Sequence, residues 1–297
     1  MKNRIHLFAI LILIAVFLYL SYQVFVGVGR LQIIFLNVGQ GDSILIQKGT
    51  KQILIDGGPN GKTELAELGK HIPYFDREIE AVIVTHPDRD HIGGLSDVAR
   101  NYKIGKVVET KAEKDTAAFG EWREIIAYDG VETVEAVRGD EINFGGVKIR
   151  ILFPFGSVGA AAGDANNSSV VARLDYGGNS FLFTGDLETA GEGQILKSGE
   201  NINVDVLKIG HHGSKSSSSE EFLDAASPEE AVISVGVKNS YGHPHAETLS
   251  KLETRNIKVH RTDEDSDIIY ECKNPESKCA RAQDLTKVKF WAKLWGK

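Results

Sequence analysis

The run His86-Pro87-Asp88-Arg89-Asp90-His91 follows the apolar stretch Ala81-Val82-Ile83-Val84-Thr85 and precedes Ile92-Gly93-Gly94. Ala81–Thr85 is short and rich in β-branched residues, which predicts a buried strand. A strand sends successive side chains to opposite faces, so His86, Asp88, Asp90 and His91 cannot converge from regular structure. A loop at the strand's C-terminal end can wrap them around metal ions, and the glycines behind it permit a close backbone approach. Three other clusters follow or precede predicted elements in a similar way. Thr184-Gly185-Asp186 follows the apolar run Ser180–Phe183, His211-His212-Gly213-Ser214 follows Val204–Ile209, and Tyr241-Gly242-His243-Pro244-His245 precedes a predicted helix. Taken singly, an Asp at a turn more often caps a helix, and a lone His is more often structural. Four such clusters at strand ends predict one metal centre, because those edges converge in a packed α/β domain.

The 297 residues carry 34 basic and 41 acidic side chains, a net charge of −7, which argues against binding nucleic acid through overall positive charge. Apolar residues at 42% and charged residues at 25% exclude wholesale disorder. With two Cys, neither a disulfide scaffold nor a four-Cys metal site is available. Short β-type runs at Leu31–Val38, Ser43–Gln47 and Lys51–Asp56, separated by Gly-rich turns, predict an antiparallel meander. Helices are predicted over Glu64–His71, Gly94–Asn101, Ser219–Ala226 and His245–Arg255. Strands are predicted at Val107–Glu109, Glu132–Val137, Val147–Phe153, Ser169–Tyr176, Asn179–Thr184, Val204–Ile209 and Ala231–Val235. The fold class is therefore α/β, with two packed sheets and helices outside: an αββα sandwich.

Lys2 and Arg4 precede an apolar segment running from Leu7 to Val28, 22 residues with only Ser21, Tyr22 and Gln23 as polar relief. That is long enough to cross a bilayer as one transmembrane helix. Bulky Tyr19, Tyr22 and Phe25 stand where a cleavage site would fall, which predicts an uncleaved signal anchor over a cleaved signal peptide. The basic residues before the span keep the N-terminus cytoplasmic, giving a single-pass protein of the cell membrane with its large domain extracytoplasmic. The expected division is 1–30 as anchor, 31–270 as the catalytic domain and 271–297 as a basic, aromatic tail.

The chain resembles the metallo-β-lactamase superfamily, and within it the ComEC-type competence hydrolase domains, over Leu31–Ile269. The resemblance rests on Asn37-Val38-Gly39-Gln40-Gly41-Asp42, His86–His91 with Gly93-Gly94, Asn167-Ser168-Ser169, Phe183–Asp186, Leu207–Ser214, Tyr241–His245 and Arg261-Thr262-Asp263. It implies two divalent metal ions, Zn or Mn. His86 and Asp88 would hold one and Asp90 and His91 the other, with Asp186 bridging and His211 or His212 completing the second. Asp88 stands where most superfamily members have His, as in ComEC-type domains. The third-motif His has no counterpart, and Asn166 or Asn167 lies in that neighbourhood. Asn37 replaces a usual Asp, and Ser266-Asp267 a usual Gly-small pair.

Such a binuclear site suits phosphodiester hydrolysis, since attacking and leaving oxygens are stabilised together. An Asp in place of an imidazole makes the site harder and more anionic. Asp90 and His243 are the expected catalytic residues, with Asn167, Ser214 and His245 contacting substrate. His243 or His245 can alternatively buttress the helix start. The expected function is a membrane-anchored phosphodiesterase or nuclease, with DNA as a candidate substrate and a separate channel protein as partner. Alternatives are hydrolysis of a phosphorylcholine ester or lactone, or a binding module without catalysis. Cys272 and Cys279 either close a small loop as a disulfide or remain free. In the tail, Trp291, Leu294 and Trp295 share one helical face beside Lys289 and Lys293. That face reads as a membrane-interface contact, as packing on the domain, or as a contact that draws nucleic acid to the site.

Overall fold

Alternation along the strands explains the layers. Ile33 and Phe35 face one apolar cluster while Ile34 and Leu36 face another, and Ile83 and Val82 divide in the same way. Strands buried on both faces read as continuous apolar runs. The computed structural model describes residues 29–158 and 165–282, together with His6, Phe8 and residues 10–15.

The first sheet has eight strands in the order Ala280–Arg281, Ile268–Cys272, Leu31–Phe35, Ile44–Lys48, Lys51–Ile55, Ala81–Val84, Lys106–Glu109 and Glu132–Glu135. Its first five strands pair antiparallel, so the expected meander of residues 31–56 is present, and the rest pair parallel. The second sheet has seven strands, Lys258–Arg261, Glu230–Ile233, Val206–Lys208, Asn179–Phe183, Val171–Tyr176, Val147–Phe153 and Glu141–Phe144. Here the first four are parallel and the others antiparallel.

One apolar layer, with Phe35, Ile46, Ile149 and Phe181, fills the space between the sheets. A second packs the outer face of the first sheet against helices Gly61–His71, Leu95–Asn101 and Ala117–Tyr128. A third packs the second sheet against helices Thr189–Ser198, Glu220–Ala226 and Ala246–Thr254. The result is the αββα sandwich. Parallel strands of each sheet end on a common edge, where loops of an α/β sheet gather ligands.

Among the described residues, two helices longer than a single turn lie where no helix was expected from sequence. Ala117–Tyr128 buries only Trp122 and Ile126, and Thr189–Ser198 carries Gly191 and Gly193, so neither shows a broad apolar stripe. The boundary expected at 270/271 falls inside the strand Ile268–Cys272, to which Ala280–Arg281 adds as an edge. Cys272 and Cys279 are joined as a disulfide across the intervening turn. Most of the predicted transmembrane segment and all of the tail 287–297 lie outside the described residues. Among the described residues no helix is long and apolar enough to cross a membrane.

Candidate metal centre

Five strand ends build the centre. Asp56 follows Lys51–Ile55, His86 and the short helix Arg89–Ile92 follow Ala81–Val84, and Asp186 follows Asn179–Phe183. His211 and His212 follow Val206–Lys208, and the loop bearing His243 follows Glu230–Ile233. Two backbone features bring these ends together. Gly41 has φ +141°, and a Cβ there would lie 2.2 Å from the Asp90 carbonyl, so only glycine lets the Asp42 loop reach the His86–His91 loop. His211 and His212 both adopt left-handed backbone, at φ 49° and 53°. Two consecutive non-glycine residues there cost on the order of 1 kcal/mol each, a strain typical of functional sites.

The three buried imidazoles share one arrangement. His91 donates from Nδ1 to Asp56 at 2.8 Å, and His212 donates from Nδ1 to the Ser234 carbonyl at 2.9 Å. His86 Nδ1 lies 3.0 Å from the Thr85 hydroxyl, which itself donates to Asp56 at 2.7 Å. With each Nδ1 engaged, the Nε2 lone pair is the free coordinating group, the tautomer that metal-ligating His residues adopt. All three Nε2 atoms, and Asp186 Oδ1, are buried without a hydrogen-bond partner. His91 Nε2 lies 3.4 Å from Asp186 Oδ1, while His212 Nε2 lies 3.3 Å from Asp90 and 3.4 Å from Asp186 Oδ2. Asp90, His91, Asp186 and His212 each offer an atom within 4.8 Å of the others.

Charge tells the same story. Asp42, Asp56, Asp90 and Asp186 surround this space, and among the described residues the only fully buried ammonium beside them is Lys208, 2.5 Å from Asp42 and 3.9 Å from Asp186. Like charges about 4 Å apart repel by roughly 4 kcal/mol at an effective dielectric near 20. More positive charge is therefore required. Burial alone would lower His91, yet Asp186 and Asp56 outweigh it and hold the ring well above its ordinary value. His212 is lifted by Asp186, Asp42 and Asp90 against the same burial. Burial and the neighbouring His91 push His86 down to about 3. Burial opposes ionisation of Asp42, but Lys208 and His212 hold its carboxyl at about 2. Nitrogen and carboxylate donors with free lone pairs in an anionic pocket fit divalent transition-metal ions.

The remaining predicted residues sit around this group. Asp88 pairs with Lys114 Nζ at 2.7 Å. His211 lies farther out than His212, 3.8 Å from Asp186, with Nδ1 3.2 Å from Glu188. The His243 ring stands 5.4 Å from that of His211 and 6.3 Å from that of His212. Burial, with His212 and His211 nearby, pushes His243 down to about 4, so the ring is neutral at pH 7. Asn167 accepts from the Gly191 N–H at 3.1 Å, and Ser214 Oγ lies 3.0 Å from Ser216 Oγ. His245 Nδ1 accepts from the Lys215 N–H at 3.1 Å. These three therefore make local structural contacts at the rim. Asp267, one of the sequence departures, accepts from the N–H of another, Asn37, at 2.9 Å.

Three residues of the centre were not singled out from sequence. Asp42 lay within a quoted motif. Asp56 has the signature used for the others, a carboxylate after an apolar strand and before Gly57-Gly58. Lys208 carried its own signal, a charged residue in register with the inward-facing Val206.

The family profile described as "Metallo-beta-lactamase superfamily" matches residues 36–237. ComE operon protein 3 of Bacillus subtilis is 36% identical over 262 residues, covering 80% of this chain and 33% of that protein. Competence protein ComA of Neisseria gonorrhoeae is 32% identical over 228 residues, covering 76% of this chain and 30% of its own length. The chain thus spans about a third of these relatives. Among solved structures, the metallo-beta-lactamase fold protein YhfI from Bacillus subtilis superposes with a TM-score of 0.55 at 13% identity, covering 82% of this chain and 100% of that one. Igni18, a metallo hydrolase of Ignicoccus hospitalis, gives 0.54 at 17% identity, covering 80% and 98%. These two share the fold. With its αββα layers, its His/Asp cluster suited to metal ions and its competence-protein relatives, the chain belongs to the metallo-β-lactamase superfamily.

Proposed function

We propose that this chain is a metal-dependent phosphodiesterase, held at the cell membrane by residues 1–30 with its catalytic domain outside. The observation that carries the reading is the convergence of the unpartnered Nε2 atoms of His91 and His212 on Asp90 and Asp186 at the strand ends, with the unpartnered Nε2 of His86 on the adjoining ring. His86, Asp90, His91, Asp186 and His212 are the residues to hold two divalent ions, with His211 and Asp88 at the margin. Such ions supply an activated water and a Lewis acid for the ester oxygen. The chain's own residues do the rest. Asp56, Thr85 and Ser234 fix the imidazole tautomers, and Lys208 offsets part of the carboxylate charge. Asp90 retains a partly exposed carboxylate at the mouth, where it orients the attacking water. His243 meets the leaving oxygen.

The competence relatives support a nucleic acid strand as substrate. The Cys272–Cys279 disulfide supports a non-reducing compartment. The apolar run at residues 7–28 supports an anchor, and a channel protein is the partner we propose. Elemental analysis of the purified chain should find two Zn or Mn ions, and hydrolysis should be measured on bis-p-nitrophenyl phosphate, oligonucleotides, phosphorylcholine esters and lactones. Turnover of lactones alone would replace the phosphodiester reading, and an Asp90→Ala chain with full phosphodiester activity would end it.

A further inference from the structure

The loop from Gly236 to His245 carries His243 to the centre, and one side chain organises it. The Asn239 carboxamide donates to the carbonyls of Gly236 at 3.1 Å and His243 at 2.6 Å. Its oxygen accepts from the N–H groups of Tyr241 at 3.2 Å and His243 at 3.0 Å. Four bonds from one residue fix the loop before any substrate arrives. What the loop displays is Tyr241, 64% exposed. Its ring stacks on His243 at 5.7 Å between centroids with 22° between planes, leaving the opposite face to solvent. An aromatic ring held this way beside a catalytic centre costs hydrophobic exposure without filling a core.

We propose that Tyr241 is a stacking platform for a base of a single-stranded nucleic acid whose phosphodiester lies over His91, Asp186 and His212. This rests on the phosphodiesterase reading and deepens it. Stacking on a fixed ring needs an unpaired base, which a single strand offers and a duplex withholds. Charge selects the same ligand over the other one a Tyr face could take, a choline headgroup. Arg89, Lys215 and Lys238 are exposed on the loops that carry Asp90, His212 and His243, and among the described residues none of them is engaged in an ion pair. These cations draw a polyanionic backbone and repel trimethylammonium, in a molecule whose net charge is −7.

The test measures binding of the full chain to a short fluorescein-labelled oligothymidylate and to an abasic strand of equal length, both with phosphorothioate linkages to slow cleavage. The wild-type chain should prefer the base-bearing strand by roughly tenfold or more. Y241F should keep that preference. Y241A should lose it while binding the abasic strand as before, and Y241L serves in its place if Y241A does not fold. Equal binding of both strands by the wild type, a preference retained in Y241A, or displacement of the strand by free phosphocholine would overturn the platform. Hydrolysis of bis-p-nitrophenyl phosphate, measured in parallel, reports on the hydrolase reading separately. A chain that discriminates the strands but cleaves no phosphodiester keeps the platform and loses that reading.

Discussion

The layer between the two sheets has two ends of equal burial and opposite chemistry. At one end Phe181 stacks with Phe183 and meets Tyr270 edge-on, with the Cys272–Cys279 bridge close by in sequence. At the other end Asp42, Asp56, Asp186, Lys208, His86, His91 and His212 are equally sequestered. The apolar end is complete: apolar surface is removed from water, and the Tyr270 hydroxyl donates to Glu230. The polar end has stranded Nε2 and carboxylate atoms and an excess of negative charge. Burial thus stabilises one end directly, and the other becomes favourable when cations complete it.

The largest expected effect separates the ends by activity. Asp186→Ala should lower phosphodiester hydrolysis by at least about a thousandfold, roughly 4 kcal/mol of barrier, with loss of metal in elemental analysis. A variant retaining both ions would remove Asp186 from the centre. Phe181→Ala acts on the apolar end and should cost about 3–5 kcal/mol of stability, a melting point lower by roughly 10 °C. Chelation sharpens the contrast. A chelator should lower the melting point of the wild type and of Phe181→Ala by a similar amount, on the order of 10 °C, but barely move Asp186→Ala. An equal chelator response in all three would break the comparison.

A third effect concerns Glu64, buried on the helix Gly61–His71, where burial lifts its carboxyl to about 8 despite the hydrogen bond from Ser43 at 2.8 Å. The unfolded chain releases this proton near the ordinary value of 4.5, whereas the folded chain holds it up to about 8. Stability therefore falls as pH rises through that window. Glu64→Gln should match wild type near pH 5 and exceed it by on the order of 3 kcal/mol near pH 8, in urea titrations. Identical pH profiles would show that Glu64 is ionised in the fold. The smallest effect belongs to the Cys272–Cys279 bridge, which closes a short loop. Cys279→Ser should cost about 2 kcal/mol, and two alkylatable thiols in protein isolated without reductant would show the bridge absent.

The strand ends and their ligand types were legible in sequence because apolar runs stop abruptly on His and Asp. The choice between His211 and His212 was not, because it depends on a turn. Left-handed backbone at both residues swings His212 between the sheets, against the Ser234 carbonyl, and leaves His211 toward Glu188. Asp88 illustrates the same limit. Its spacing matches a ligand, and its contact in the structure with Lys114, a residue 26 positions away, is one that spacing does not give. The helices Ala117–Tyr128 and Thr189–Ser198 went unread because few of their side chains are buried, so periodicity was faint.

By itself, then, the sequence determined the layered α/β architecture and the residue types of the centre, since both follow from local patterns of apolar residues, turns and ligand side chains. Tertiary structure decided which of those side chains face one another. It placed Lys208 against Asp42 across more than 160 positions, and Asp56 behind His91. The physical reason is that alternation and spacing fix where a side chain leaves its own strand. The partner it meets is fixed only when two sheets close over a common layer.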